Sequence, residues 1–414
     1  MERIEADVLI PGAGDPIRNG CVVLDGRTIA YAGPIEGAPR PEPGARSVQV
    51  PAVMPGMWET HGHFMGLRVA NVEDIVRTPV AVMAGRAVKD IEKALLAGFT
   101  SVREVGGLGV RLAAVVDEGT VTGPHIYGAG AGLSQTGGHG DLHAFPLEVV
   151  HVLGAAVGYL RLCDGVPECL KAVREQLRAG AKVIKVLASG GVMSELDHPA
   201  HAQFSHDELR AIVEDAARAD RVVAAHCHGK AGILAALQAG CRTIEHGTYL
   251  DEEAADLMLE RHAILVPTRF ILEQLVAYAT EASVPEYALR KAKVVAEDHG
   301  KALRLAVRKG VRIAVGTDIF MSGDATPIRW GMNGRELGHL VEAGMKPLQA
   351  IEAATANGPA TLGPLAPRSG VLKAGFDADV IGVARDPLAD IRVLADPANV
   401  THVWKSGRLV KSPP

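Results

Sequence analysis

Long apolar runs are missing from this chain, as are paired cysteine motifs and any excess of positive charge. No uninterrupted apolar stretch approaches the roughly 18 residues of a membrane-spanning helix, and the opening Met1-Glu2-Arg3-Ile4-Glu5 lacks the character of a signal peptide. The five cysteines (Cys21, Cys163, Cys169, Cys227, Cys241) form an odd set without a C-x-x-C spacing. That pattern argues against a disulfide framework or a structural zinc module and points to a reducing cytoplasm. Forty-three Lys and Arg against 48 Asp and Glu leave a net charge of −5, which offers no footprint for nucleic acid or an anionic membrane. Internal repeats and low-complexity tracts are also absent, so the expected partner is a small-molecule substrate.

What is present is material for a large core. The 414 residues are 48% hydrophobic and 22% charged, and 16 are histidine, many of them ending apolar runs. Residues 4 to 53 read as short strands with turns. Cys21-Val-Val-Leu and Arg27-Thr-Ile-Ala-Tyr flank Asp25-Gly26, a two-residue hairpin signal, and the Pro-rich stretch from Ala38 to Gly44 reads as a loop.

From Pro55 apolar strands alternate with helical stretches, the mark of a parallel sheet with crossover helices. The strands are expected at Ala52–Trp58, Thr100–Glu104, His125–Ala129, Val183–Ala188, Val222–His226, Thr243–His246, Ile264–Pro267 and Ile313–Asp318. Helices are expected at Ala81–Leu96, Asp207–Ala219, Lys230–Gln238, Glu252–Arg261 and Pro285–Lys309, with a last pair at Gly334–Ala343 and Pro347–Thr355. This is the pattern of an α/β fold, a (β/α)8 TIM barrel. A Gly- and His-rich excursion from Gly130 to Gly165 is expected as a non-helical loop over its mouth. Strand character returns at Asp379–Val383, Asp390–Leu394 and His402–Val410. Residues 1–54 and 368–414 are therefore expected to pair in one small β domain, with the barrel, 55–367, inserted between them.

Active sites of such barrels lie at the C-terminal ends of the strands, so strand ends are the places to read. The first ends in His61-Gly-His63, whose side chains, two apart, share a face. The fifth ends in His226-Cys-His228, the sixth in His246 and the eighth in Asp318. A strand-end histidine is ordinarily a satisfied polar residue, but so many metal-ligand types at separate strand ends suit a pair of zinc-class divalent ions ~3.5–4 Å apart. The fourth strand adds two lysines. Lys182 sits at the floor end, whereas Lys185 lies nearer the mouth and faces the other way. Reaction of a neutral Lys185 amine with carbon dioxide would give a carbamate, an anionic bridging ligand. Cys227, between two histidines, points to the opposite face and reads as packing, and core packing is also the reading of Met193, Met321 and Met332.

These residues, together with Ser134-Gln-Thr-Gly-Gly-His139-Gly140, Ser189-Gly-Gly-Val-Met-Ser194, Gly338 to Gly344 and Gly375-Phe-Asp-Ala-Asp379, make the chain resemble the amidohydrolase superfamily. Within it, the chain resembles the branch of prolidase-like and arginine-type carboxypeptidases, N-acyl-amino-acid hydrolases and ochratoxin-degrading amidohydrolases. The resemblance implies a barrel inserted in a composite β-sandwich and a homo-oligomer. It also implies that His61, His63 and Asp318 hold one metal and His226 and His246 the other, with N-carboxylated Lys185 and a hydroxide bridging both. His139 and His228 match positions that contact the substrate or polarise its carbonyl. The chain departs from the usual pattern at Glu59 and Glu104, where aspartates are common, and at Trp330-Gly-Met-Asn333, which lacks a histidine before the Asn.

The expected chemistry is hydrolysis of an amide bond in a dipeptide, an N-acyl amino acid or a bulkier ochratoxin-like aryl-amide. Two dications would bring the pKa of a bridging water from about 15.7 toward ~7. His139 or His228 would stabilise the oxyanion, and Asp318 would carry the proton to the leaving amine. A carbamate hydrolase, a ring deaminase or a metal-free scaffold protein are the alternatives. An arginine that binds a substrate carboxylate would come from Arg68, Arg77, Arg103, Arg269 and Arg335, which position alone does not rank.

Overall fold

Apolar, β-branched runs supply most of the strands in the computed structural model, which describes residues 1–413 apart from 42, 43 and 45. The loop expected from Ala38 to Gly44 includes 42 and 43, which lie outside the described residues. Strands β1 (Glu2–Leu9), β2 (Ile17–Asp25), β3 (Thr28–Pro34) and β4 (Arg46–Pro55) come first. The middle of the chain holds β5 (Met57–Leu67), β6 (Phe99–Glu104), β7 (His125–Gly128), β8 (Gly132–Ser134), β9 (Leu160–Leu162), β10 (Ile184–Leu187) and β11 (Val223–Cys227). It continues with β12 (Thr243–His246), β13 (Ile264–Val266), β14 (Arg312–Ile313) and β15 (Ile319–Met321), and β16 (Val380–Val383), β17 (Val400–Lys405) and β18 (Arg408–Lys411) follow.

The early and late strands share one seven-stranded sheet, in the order β18-β17-β16-β4-β1-β2-β3. Its centre is the antiparallel pair β16–β4, so segments from far apart in the sequence meet there. Alternation along these strands separates two faces. Leu9, Val53, Val380 and Trp404 bury one against other strands of the sheet, while their neighbours Val8, Ala52, Met54, Ile381 and Val403 turn the other toward the rest of the chain. The sheet curls, because Ile29 N–H donates to the Phe376 carbonyl and Gly375 N–H to that of Ile29, both at 2.8 Å.

The middle strands form two wholly parallel sheets, β15-β5-β6-β7 and β14-β13-β12-β11-β10-β8-β9. Backbone hydrogen bonds also run between the two: Thr60 N–H to Val315 and Lys182 N–H to Gly128, each 2.9 Å. The crossover helices lie close to their expected places, at Val80–Leu96, His206–Ala217, Lys230–Ala239, Glu252–Glu260 and Glu286–Lys309. Local chemistry sets their ends. Ser205 and Glu208 cap each other's backbone amides at the start of His206–Ala217, and the longest helix stops at Gly310, whose φ of 75° a side chain resists. Among the described residues no helix is long and apolar enough to cross a membrane.

Four sequence expectations need correction. The run expected as one strand at Ile313–Asp318 pairs only at its start, in Arg312–Ile313, and reaches Asp318 through irregular backbone. The apolar run read as one strand, Ala52–Trp58, is the end of β4 joined to the start of β5, with a change of sheet at Gly56. Only glycine fits at that junction, because a Cβ there would lie 2.1 Å from the Thr100 hydroxyl oxygen. The His61-x-His63 pair consequently lies inside β5 and not just past a strand. The Gly130–Gly165 excursion is not free of regular structure; it holds β8, β9 and a helix at Leu147–Val157. Finally, Asp390–Leu394 is no strand, since Ile391–Ala395 forms a 3-10 turn capped by the Asp390 carboxylate.

Candidate metal centre

Strand β5 carries His61 and His63 through the interior to a common target. Their Nε2 atoms lie 3.5 and 3.0 Å from one oxygen of Asp318. Asp318 leaves the strand register with φ of 60°, a left-handed conformation that costs about 1–3 kcal/mol in a non-glycine residue and clusters at functional sites. Glu59 anchors both segments from below. Its carboxylate accepts from His61 N–H (2.9 Å), Thr317 N–H (3.0 Å), the Thr317 hydroxyl (2.7 Å) and the Asn333 amide (2.7 Å). Glu59, one departure from the family pattern, is thus bonded to the Asn333 that closes another, the Trp330-Gly-Met stretch without a histidine. Complete burial raises the Glu59 carboxyl to about 7. Glu104, the third departure, accepts from Phe64 and Gly109 N–H below the same strand.

The second group assembles from β11 and β12. His226 and His228 meet edge to face at 4.8 Å between centroids, and His246 lies 4.7 Å from His226 and 4.9 Å from His228. His246 also lies 4.9 Å from His61, so the two groups adjoin. Within each set, His61–His63–Asp318 and His226–His228–His246, one ligand atom per residue falls within 4.8 Å of the others. His228, expected at the substrate, is therefore also grouped with the histidines expected to hold metal. Nδ1 of His63 donates to the Gly106 carbonyl (2.8 Å), and Nδ1 of His228 and His246 meet the hydroxyls of Thr248 (2.6 Å) and Thr268 (2.7 Å). These contacts leave the Nε2 atoms for the cluster. His226 is reversed, because its Nε2 donates to the Gly190 carbonyl at 3.2 Å and frees Nδ1.

Burial first, and cationic neighbours second, hold these imidazoles neutral. His61 falls to about 4 and His228 to about 3, while His226 and His246 drop well below the usual range. Burial alone would raise Asp318, but His61 and His63 outweigh it and keep the carboxylate ionised. Neutral imidazoles with free ring nitrogens around an ionised carboxylate are what a divalent cation requires. The donor set fits such an ion.

Of the two lysines, Lys185 reaches the site, where it is 3% exposed and lines the cavity, whereas Lys182 is exposed elsewhere. Burial lowers the Lys185 ammonium to about 8 even though Glu245 and Asp318 pull the other way. Reading the sequence for strand-end ligands misses Glu245, and it leaves Arg103 among candidates for a different task. The signal was the adjacent Thr243, which shares the inward face of β12 with Glu245.

His139 completes the cluster. Its ring stacks on that of His226, and its Nδ1 lies 2.7 Å from the Ser194 hydroxyl, which is itself bonded to Asp197. The loop beneath is tied down by Lys291, whose ammonium donates to the carbonyls of Gly191 (3.2 Å) and Ser194 (2.7 Å). A cavity opens from the histidines, with Leu142, Leu187, Ile271, Leu272, Leu275 and Phe320 on its walls and the Tyr159 ring beside His63. Met193 lines it too, whereas Met321 and Met332 belong to the core, and Cys227 is buried in the other direction. None of the five candidate arginines is among the lining residues. Arg68, Arg77 and Arg335 are exposed, Arg269 binds Glu273 (2.5 Å), and Arg103 is sealed inside.

Comparison with known proteins follows the same lines. The profile of the amidohydrolase family matches residues 52–410. An ochratoxinase from Aspergillus niger is 44% identical over 426 residues, covering 99% of this chain and 86% of that enzyme. The crystal structure of A. niger ochratoxinase matches with a TM-score of 0.92 at 42% identity, over 100% of this chain and 96% of that one. A prolidase complexed with N-methylphosphonate-L-proline matches with a TM-score of 0.90 at 33% identity, over the whole of both chains. A Xaa-Pro dipeptidase with methionine bound in its active site gives 0.88 at 30% identity, over 99% and 100%.

Proposed function

The chain belongs to the amidohydrolase family and is a hydrolase of C–N bonds, and from that premise we propose that it cleaves the amide joining a bulky apolar or aromatic acyl group to an amino acid. The observation that carries this choice is the cavity: its largely apolar walls open directly onto the histidine cluster. Such walls suit an aryl or long acyl group, and the likeness to an ochratoxinase supports an ochratoxin-like amide. The likeness to a prolidase and a Xaa-Pro dipeptidase supports a dipeptide as the second reading.

His61, His63 and Asp318 would hold one divalent ion and His226 and His246 a second, with Lys185, as its carbamate, between them. When bound, two such ions, zinc in our reading, supply Lewis acidity toward a carbonyl and a shared water. The chain's own residues do the rest. Asp318, 23% exposed at its side chain, takes the proton released by the attacking water on a carboxylate oxygen and returns it to the leaving amine. His228, its Nδ1 accepting from the Thr248 hydroxyl, presents Nε2–H to the developing oxyanion, while His139, whose Nδ1–H donates to the Ser194 oxygen, stands beside it with Nε2 free to accept from the substrate. The leucine and isoleucine walls exclude bulk water from the reacting bond.

We infer, too, that the two parallel sheets are one closed (β/α)8 barrel spanning 55–367. The support is the pair of backbone bonds Thr60–Val315 and Lys182–Gly128, which tie β5 to the segment after β14 and the end of β7 to the segment before β10. Residues 1–54 and 368–414 would then form a composite β-sandwich, the reading favoured by the curl of their shared sheet. Five buried free cysteines suit a reducing compartment. A homo-oligomer rests on family resemblance and is checked by light scattering.

The functional reading is tested by following amine release from ochratoxin A, N-acyl amino acids and dipeptides with metal-loaded protein. Turnover of aryl- and long-acyl amides well above that of small dipeptides is expected. Equal or better turnover of Xaa-Pro dipeptides would move the assignment to a dipeptidase.

A further inference from the structure

Of all the ligand-type histidines, His61 alone rests its outer nitrogen on a charged group. Its Nδ1 lies 2.7 Å from Glu245 Oε2, whereas His63 meets a carbonyl and His228 and His246 meet hydroxyls. Glu245 is wholly buried and fully engaged. Arg103, also 0% exposed, donates Nη2 to both Glu245 oxygens (2.7 and 2.8 Å), and the Thr243 hydroxyl bonds the same carboxylate. The guanidinium further donates Nε to the Thr60 carbonyl (2.6 Å) and Nη1 to the Thr243 hydroxyl (2.9 Å). Arg103 therefore spans the interior from β5 and β6 to β12 and fixes Glu245 in one orientation.

We propose that Glu245, clamped by Arg103, is a positioning residue that holds His61 in the Nδ1–H tautomer and so aims the Nε2 lone pair at the metal position beside Asp318. An ionised carboxylate only accepts, so the proton must sit on Nδ1; a threonine hydroxyl, which both donates and accepts, imposes no such choice. The charged acceptor also makes His61 a stronger donor ligand than a neutral partner would. Because His246 directly follows Glu245, the clamp that orients one ligand set also fixes the backbone of the other. This inference rests on the metal-dependent reading above.

The test compares wild type and Glu245→Gln for metal stoichiometry and affinity, by competition with a chromophoric chelator, with thermal stability measured in parallel. Wild type is expected to bind two zinc ions, and Glu245→Gln to lose about 10–100-fold in affinity for one of them, with activity recovering as zinc is raised. Glu245→Asp and Arg103→Lys, which keep charge but move it, should fall between and serve if Glu245→Gln does not fold. Parent-like affinity for both ions in these variants, even with lowered stability, would overturn the positioning role. A wild type that binds no zinc would instead remove the metal-dependent reading itself.

Discussion

The imidazole of His139 lies face to face with that of His226, ring centroids 4.3 Å apart and planes inclined by 30°. One ring comes from the glycine-rich loop after β8 and the other from the end of β11. The stack makes His139 share a wall with a candidate metal ligand, and a glycine keeps the space it needs: a Cβ on Gly191 would stand 2.0 Å from the His139 ring. Gly191→Ala should therefore push His139 aside while leaving His61, His63 and Asp318 in place. Turnover is expected to fall about 100-fold, the scale of a misplaced substrate contact, with metal content unchanged. A variant with parental kcat would remove His139 from the reaction.

Asp318 is asked both to bind metal and to move a proton, and an amide can still offer an oxygen to the metal but cannot take the proton. Asp318→Asn is expected to retain at least one ion and to lose about 10²–10⁴ in kcat. Metal analysis alongside initial rates separates the two tasks.

For Lys185 the prediction is a covalent one. Intact-protein mass measured under native, bicarbonate-containing conditions should show one added carbon dioxide, absent from Lys185→Met. That variant is expected to bind less metal and to lose turnover. Chelator treatment of the parent should abolish activity and lower thermal stability, both recovering on adding zinc, since a ligand at 100 times its Kd contributes about 2.7 kcal/mol to the native state.

Away from the site, Asp90 gives a pH signature. It is 1% exposed, bonded by the Ser322 hydroxyl, and raised by burial to about 7. A carboxyl raised on folding stabilises fully below its unfolded value and loses that contribution as pH climbs through the folded one. The parent should thus lose stability between pH about 4 and 7, by no more than ~4 kcal/mol from this group. Asp90→Asn should flatten that part of a urea-melt profile. An unchanged slope in the variant would assign the pH dependence to other buried carboxyls, such as Glu336.

Much of this architecture was legible because strand ends are where ligands must stand. His61, His63, His226, His246 and Asp318 could be picked out by asking where each apolar run leads, and the structure brings them together even though His61 and His63 lie within β5. What stayed hidden had physical causes. The step from β4 to β5 falls within one apolar run, Pro51 to Trp58, so hydropathy shows no break where the chain changes sheets. The Leu147–Val157 helix is apolar in most of its sequence, so it lacks the polar face that marks a helix. Asp390–Leu394 alternates like a strand, yet Ile391, Val393 and Leu394 are buried by a tight turn instead. Glu245 was overshadowed by its neighbour: strict alternation would set it opposite His246, and only the left-handed backbone of His246, φ 70°, lets both serve one site.

The β4–β16 pairing sets a schedule for biosynthesis. β1 to β4 leave the ribosome early, but the edge of β4 is covered only when β16 arrives, after the whole histidine cluster has been made. Until then a long apolar edge is open to pairing with other chains, the situation that favours aggregation of slowly completed β structure. A nascent chain of this protein thus spends most of its synthesis with its first sheet unfinished. Its yield in a host cell should depend on chaperone supply and translation rate as much as on the stability of the finished fold.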